Sequence, residues 1–126
     1  MKKILIVIAD YYKDITPTLL SSAKTNLKNF SLKIIKVPGV FEIPVTISKN
    51  IKKYDAFIAL GCVIKGETPH FDFISSATTN SIMDLSVKNK KPIGNGIITC
   101  LNKKQARARK NKGKEAALAV VSILSQ

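Results

Sequence analysis

Four short runs rich in β-branched and leucine side chains punctuate this chain: ILIVIA at residues 4–9, LKIIKV at 32–37, AFIAL at 56–60 and PIGNGIIT at 92–99. Runs of this length without strict polar alternation read as strands covered on both faces, and helical spacing fills the stretches between them. Strands alternating with helices predict a parallel sheet with helices on both sides, a three-layer α/β/α sandwich. Right-handed crossovers make the flavodoxin-like strand order 2-1-3-4 the natural topology.

The punctuation supports this division. Thr16-Pro17 starts a helix, with Thr16 as its cap, Pro17 at the first helical position, and Leu19, Leu20, Ala23 and Leu27 recurring behind them. Pro38-Gly39 breaks the second strand, and the next helix carries Ile43, Val45, Ile47 and Ile51, with Pro44 tolerable only in its first turn. Gly61 opens the loop after the third strand. Phe73, Ala77, Ile82 and Leu85 then predict a long helix over residues 69–88, ended by the basic NKKP segment. A last helical region runs from residue 102, is interrupted by KNKGK, and resumes its apolar stripe over 115–124. No repeat, low-complexity segment or linker divides the chain, and a single domain over residues 1–126 is expected.

Composition removes several classes. With 45% hydrophobic and 23% charged residues the chain is not a disordered one. No apolar stretch approaches the roughly 18 residues of a membrane span, and the opening MKKILIVIAD lacks a small-residue cleavage site, so a cytoplasmic location is expected. Cys62 and Cys100 sit beside apolar runs without metal-ligand partners at short spacing, which predicts buried thiols and no metal site. The net charge of +13 raises the question of a polyanionic partner. Its lysines are scattered along the sequence, however, and Arg107 and Arg109 are the only arginines, so neither nucleic acid nor membrane is expected as a partner.

In a sheet of this kind ligands sit beyond the carboxyl ends of the strands. The third strand ends in GCVIKGETPHFDF, residues 61–73, which contains the single histidine of the chain. Gly66 permits a tight backbone, Thr68 offers a hydroxyl, and Pro69 starts a helix whose free N–H groups and positive dipole end favour an anion such as phosphate, with Lys65 adding charge. His70, in the first turn, is suited to proton transfer near neutral pH. In VPGVFEIP, residues 37–44, Phe41 is either core or ligand platform, and Glu42 either supports the helix electrostatically or accepts hydrogen bonds from substrate hydroxyls. Tyr11 and Tyr12 are adjacent, so their side chains should diverge and one at most face the crevice, where a flat heterocycle could stack on it. The dinucleotide, Walker and zinc-protease signatures are all missing.

Four blocks, VPGVFEIP at 37–44, GCVIKGETPHFDF at 61–73, PIGNGIIT at 92–99 and NKGKEAA at 111–117, resemble the signature blocks of the 6,7-dimethyl-8-ribityllumazine synthase family, in the family's order and over nearly the whole chain. The resemblance implies a transferase of riboflavin biosynthesis that joins 5-amino-6-(D-ribitylamino)uracil to L-3,4-dihydroxy-2-butanone 4-phosphate, releasing phosphate and water, with no cofactor and no metal. A flavin- or lumazine-binding protein without turnover is the alternative. Residue by residue, Tyr11 matches the aromatic that stacks on the pyrimidine, and Val40, Phe41 and Glu42 match the segment holding ribityl chain and ring. Val63 and Ile64 match the pyrimidine wall; Gly66, Glu67 and Thr68 match the phosphate cradle; and His70 matches the acid/base.

The family's site lies between neighbours in a ring of five. Arg109 then matches the phosphate arginine supplied by the next subunit, with Lys112 and Glu115 close by. Three departures stand out: Asn95 replaces an aromatic against the heterocycle, the stretch from Arg109 to Lys112 is short enough to make Arg107 a rival, and the chain starts at its first core strand. The last of these favours a free homopentamer over a sixty-subunit shell. Riboflavin synthase is the partner protein the resemblance suggests.

Overall fold

In the computed structural model, which describes residues 1–126, strand β1 (Lys3–Ala9) occupies the interior of the sheet and all but its first residue is buried. The other strands are β2 (Ser31–Val37), β3 (Ala56–Ile64) and β4 (Ile93–Cys100), in the order β2-β1-β3-β4 and parallel throughout. This is the topology that the alternation of strands and helices predicts. Helices α1 (Thr16–Lys24) and α5 (Lys112–Leu124) cover one face, and α2 (Ile43–Lys49) and α3 (His70–Asn89) cover the other. The pleat of β1 divides its side chains accordingly: Ile4, Ile6 and Ile8 join Leu27, Ala117 and Val120, while Leu5, Val7 and Ala9 join Ile43, Ile47 and Phe57. Each fully buried Ile, Leu or Val among them contributes about 1.5–3 kcal/mol.

Several local expectations are corrected. Thr16 is buried and does not cap α1, because its Oγ1 lies 3.2 Å from both Asp10 Oδ1 and Tyr12 O and serves the turn before the helix instead. Gly61 opens no loop. β3 continues to Ile64, since residues 61–64 pair with residues 97–100 of β4 after its pairing with β1 has ended. Glycine is required at 61 by packing: a Cβ there would stand 2.9 Å from Val40 Cγ2 and 3.2 Å from Ala9 Cβ. Val45 is exposed while Ile43 and Ile47 are buried, as the helical period demands, and Phe73 and Ala77 point outward from α3.

KNKGK breaks the final helical region only in part. A short helix α4 (Lys103–Ala108) is capped by Asn102, whose Oδ1 accepts from Gln105 N at 2.9 Å, and α5 already starts at Lys112. Gly113 lies inside α5 because that helix runs against the Leu19 carbonyl of α1, where any side chain would collide.

Candidate active site

β3 outruns β1 by three residues, and the overhang forms one wall of a hollow at the carboxyl end of the sheet. Cys62, Val63 and Ile64 stand on this wall, opposite the turn Pro38-Gly39 and the single 3-10 turn Val40–Glu42 that follows β2. Tyr11 and Tyr12, at the end of β1, and His70 and Ile74, in the first turns of α3, complete a cleft of about 640 Å³. That size suits a small organic molecule. Seven of the residues singled out in the sequence meet here: Tyr11, Val40, Phe41, Glu42, Val63, Ile64 and His70.

The tyrosines do not diverge. Their rings pack edge to face, centroids 4.9 Å apart at 77°, and both line the cleft. Tyr11 is 71% exposed and offers its ring to the opening, whereas Tyr12 is half-buried against Ile15 and Cys62, and burial raises its phenol above the usual value. Sequence reasoning admitted only one of the pair to the crevice and assigned the stacking role to Tyr11, so the place of Tyr12 in the lining is new. Its signal was the apolar pair Ile15 and Leu19, which belong to the core cluster that Tyr12 packs against. Phe41 is 65% exposed and therefore not core. Glu42 Oε1 would lie 3.2 Å from a Cβ at Gly39, so the glycine keeps the carboxylate close to the backbone of the turn.

The loop 65–69 rises beyond the cleft and is exposed throughout. Gly66 adopts no left-handed conformation, and nothing stands within 4 Å of where its Cβ would be, so its backbone is uncovered rather than tightly turned. Lys65 N anchors the loop to Cys100 O at 2.9 Å, and Thr68 Oγ1 accepts from the His70 N–H at 3.4 Å, which makes Thr68 part of the start of α3. Gly66, Glu67 and Thr68 thus flank the cleft without lining it.

Asn95, Arg109 and Lys112 lie elsewhere. They share a second groove, of about 580 Å³, with Thr99 and Glu115 on the free edge of β4. The two arginines differ in their commitments. Arg107 Nη2 pairs with Asp14 Oδ2 at 3.2 Å, whereas Arg109 Nη1 donates to Thr99 O at 3.0 Å, touches Cys100 Sγ at 3.7 Å and meets no carboxylate. The Asp14 carboxyl is lowered by a hydrogen bond from its own backbone and then by Arg107, and the Asp10 carboxyl by its hydrogen bond from Lys13.

Cys62 and Cys100 are buried free thiols, and burial, aided by the neighbouring Cys100, pushes Cys62 up to about 12. No group of three or more His, Cys, Asp and Glu side chains is placed to hold a metal ion, and no helix is long and apolar enough to cross a membrane.

The family profile of 6,7-dimethyl-8-ribityllumazine synthase matches residues 1–126. The chain belongs to this family. It is similar to proteins named 6,7-dimethyl-8-ribityllumazine synthase in Corynebacterium kroppenstedtii, 38% identical over 94% of this chain and 80% of that protein, and in Agrobacterium fabrum, 42% identical over 96% and 91%. It is 43% identical to 6,7-dimethyl-8-ribityllumazine synthase 1 of Rhodopseudomonas palustris, over 97% of this chain and 83% of that one. A solved rubredoxin oxygen:oxidoreductase of Desulfovibrio gigas covers 100% of this chain and 38% of its own, with a TM-score of 0.48 and 9% identity, too distant a likeness to bear on function.

Proposed function

We propose that this chain, as one domain, is a cytoplasmic 6,7-dimethyl-8-ribityllumazine synthase, a transferase that condenses 5-amino-6-(D-ribitylamino)uracil with L-3,4-dihydroxy-2-butanone 4-phosphate. The observation that carries the reading is the match of the family over the whole chain combined with the gathering of seven family-matched residues in one cleft. In the reaction the pyrimidine amine adds to the butanone carbonyl and water leaves to give an imine. Phosphate is then eliminated, and the ribitylamine nitrogen closes the second ring with loss of water. Tyr11 supplies the face on which the pyrimidine stacks, Val63 and Ile64 its wall, and Val40, Phe41 and Glu42 hold the ribityl chain. His70 moves protons at the carbonyl and leaving group, beside the phosphate held by the amides of Gly66 and Glu67 and by Thr68.

That phosphate lacks a bidentate cation within its own cleft. Arg109 sits with Lys112 and Asn95 in the groove on β4, and a neighbouring copy whose β4 edge faces the loop 65–69 would supply it. Phe73, Met83 and Val87 of α3 are 69%, 61% and 67% exposed, which supports burial of that helix face between copies of a homopentamer. Riboflavin synthase is the partner protein this reading suggests. Purified protein given both substrates should generate lumazine absorbance above the uncatalysed rate, and its native mass should be five times that of the chain. Tight lumazine binding with no product would sink the catalytic reading, and a monomeric mass would sink the shared site.

A further inference from the structure

Ten of the nineteen lysines strewn along the sequence converge in the fold. In a parallel α/β sheet every strand starts, and every crossover helix ends, at the pole opposite the ligand site. Here β1 starts with Lys2 and Lys3, and α1 gives way to Lys24 and Lys28. On the other face α2 runs out into Lys49, Lys52 and Lys53, and α3 into Lys88, Lys90 and Lys91. Main-chain bonds set these connections side by side: Ser31 N to Lys2 O at 3.0 Å, Asp55 N to Lys3 O at 2.8 Å and Phe57 N to Pro92 O at 3.0 Å. Lys91 Nζ reaches Ile51 O at 2.7 Å and ties two of the basic turns together. All of these lysines except the half-buried Lys91 are exposed.

Little negative charge answers them. The pole holds two acidic side chains, Asp84 on α3 and Asp55, and the latter is engaged by the Lys3 N–H at 2.7 Å. The three ion pairs of the chain, Asp10 with Lys13 and Asp14 with Lys103 and Arg107, all lie at the opposite, cleft end. Lys24, Lys49 and Lys88 complement helix ends in their last turns, but the other seven lie outside them and serve no such purpose. Lys90 is held at φ 54°, a left-handed position where glycine or asparagine fits with less strain, and it is the only residue of the chain with positive φ.

We propose that this pole binds the phosphodiester backbone of a nucleic acid without reading its bases. Four strands spaced about 4.8 Å apart give a basic row about 14 Å long, enough to face several phosphates of a duplex that carries one charge per roughly 1.7 Å. The charges are all ammonium groups, which attract phosphate as points rather than through the fork that reads guanine. The pole carries no fully exposed aromatic ring, the group that would stack on bases or anchor at a lipid interface, since Phe30 and Tyr54 are half-buried and pack against the core. None of this depends on the chemistry of the cleft.

Fluorescence anisotropy with a labelled duplex of about 20 base pairs tests the proposal. With five phosphates neutralised, log K should fall against log salt with a slope of about −4.5, and an unrelated duplex sequence should bind within about twofold. The triple variant Lys52→Glu, Lys53→Glu, Lys90→Glu should lose at least about tenfold in affinity at ~100 mM salt, whereas Lys103→Glu with Lys104→Glu at the other end should change it by less than about twofold. All these side chains are exposed, and unchanged circular dichroism confirms that the variants fold. A slope near zero, an equal loss from both variants, or binding to phosphatidylserine vesicles with none to the duplex would overturn it.

Discussion

The hollow at the end of β3 and the groove on the edge of β4 are close in volume, about 640 and 580 Å³, yet they are walled differently. Eight of the twelve residues around the first are hydrophobic, and three of its walls come from segments that pack into the core. The second is lined by nine residues of which three are hydrophobic, and its arginine, Arg109, rests on a main-chain carbonyl. An interior strand that overruns its neighbour makes a finished cavity from its own chain. An edge strand has nothing beside it, so its polar groups face outward and are available to another surface.

If the first hollow holds the proton chemistry, His70→Ala should lower kcat by about a hundredfold or more while KM moves far less, measured by steady-state formation of lumazine. A change confined to KM would move His70 from chemistry to binding. If the second groove serves the phosphate, Arg109→Ala should raise the KM for the phosphorylated substrate by roughly tenfold to a hundredfold, the worth of a charged hydrogen-bonded contact of about 1.5–3 kcal/mol. Arg107→Ala should leave that KM nearly unchanged, because its partner is Asp14 on an exposed surface. The reverse outcome would exchange the two arginines.

Gly61→Ala separates the hollows by stability. Its new methyl would press on Val40 and Ala9 behind the first and should cost about 1–3 kcal/mol in urea denaturation, with no counterpart at the β4 groove. The smallest effect concerns Cys62. The folded chain holds this proton up to about 12 against an ordinary 9.0, so the native state retains it over a range where the unfolded chain has lost it. Stability should therefore fall as pH rises above about 9, and Cys62→Ala should make that fall shallower in denaturation midpoints taken between pH 8 and 10.

The fold was legible in the sequence wherever a single element carried the signal. The ILIVIA run, the Thr16-Pro17 helix start and the Pro-Gly break after β2 each act within a few residues; the strand and the break stand where expected, and the helix starts one residue early, with Thr16 inside it. Features that depended on two distant segments were not legible. Gly61 reads as a loop opener on its own, and only the approach of Val40 and Ala9 shows that it belongs inside a strand. Tyr11 and Tyr12 would diverge in an extended strand, but β1 ends at Ala9, so the turn that follows frees them to pack on each other. Neighbouring Arg107 and Arg109 are equivalent in the sequence and differ in the fold because one reaches Asp14 and the other Thr99. Family-matched residues divide among the cleft, the loop that flanks it and the groove on β4 for the same reason, since strand order is a property of the whole sheet.

The central position of β1 also sets a timetable for synthesis. It is the first strand to be made, and its partner across the β3 edge follows only after a separation of 52 residues, as between Lys3 and Asp55. At about 5–20 residues per second the ribosome leaves that edge open for roughly 3–10 s. An uncovered strand of aliphatic side chains is a template for pairing with a second nascent chain. Lys2 and Lys3, set immediately before ILIVIA, place like charges at the mouth of that template and oppose such pairing until β3 arrives.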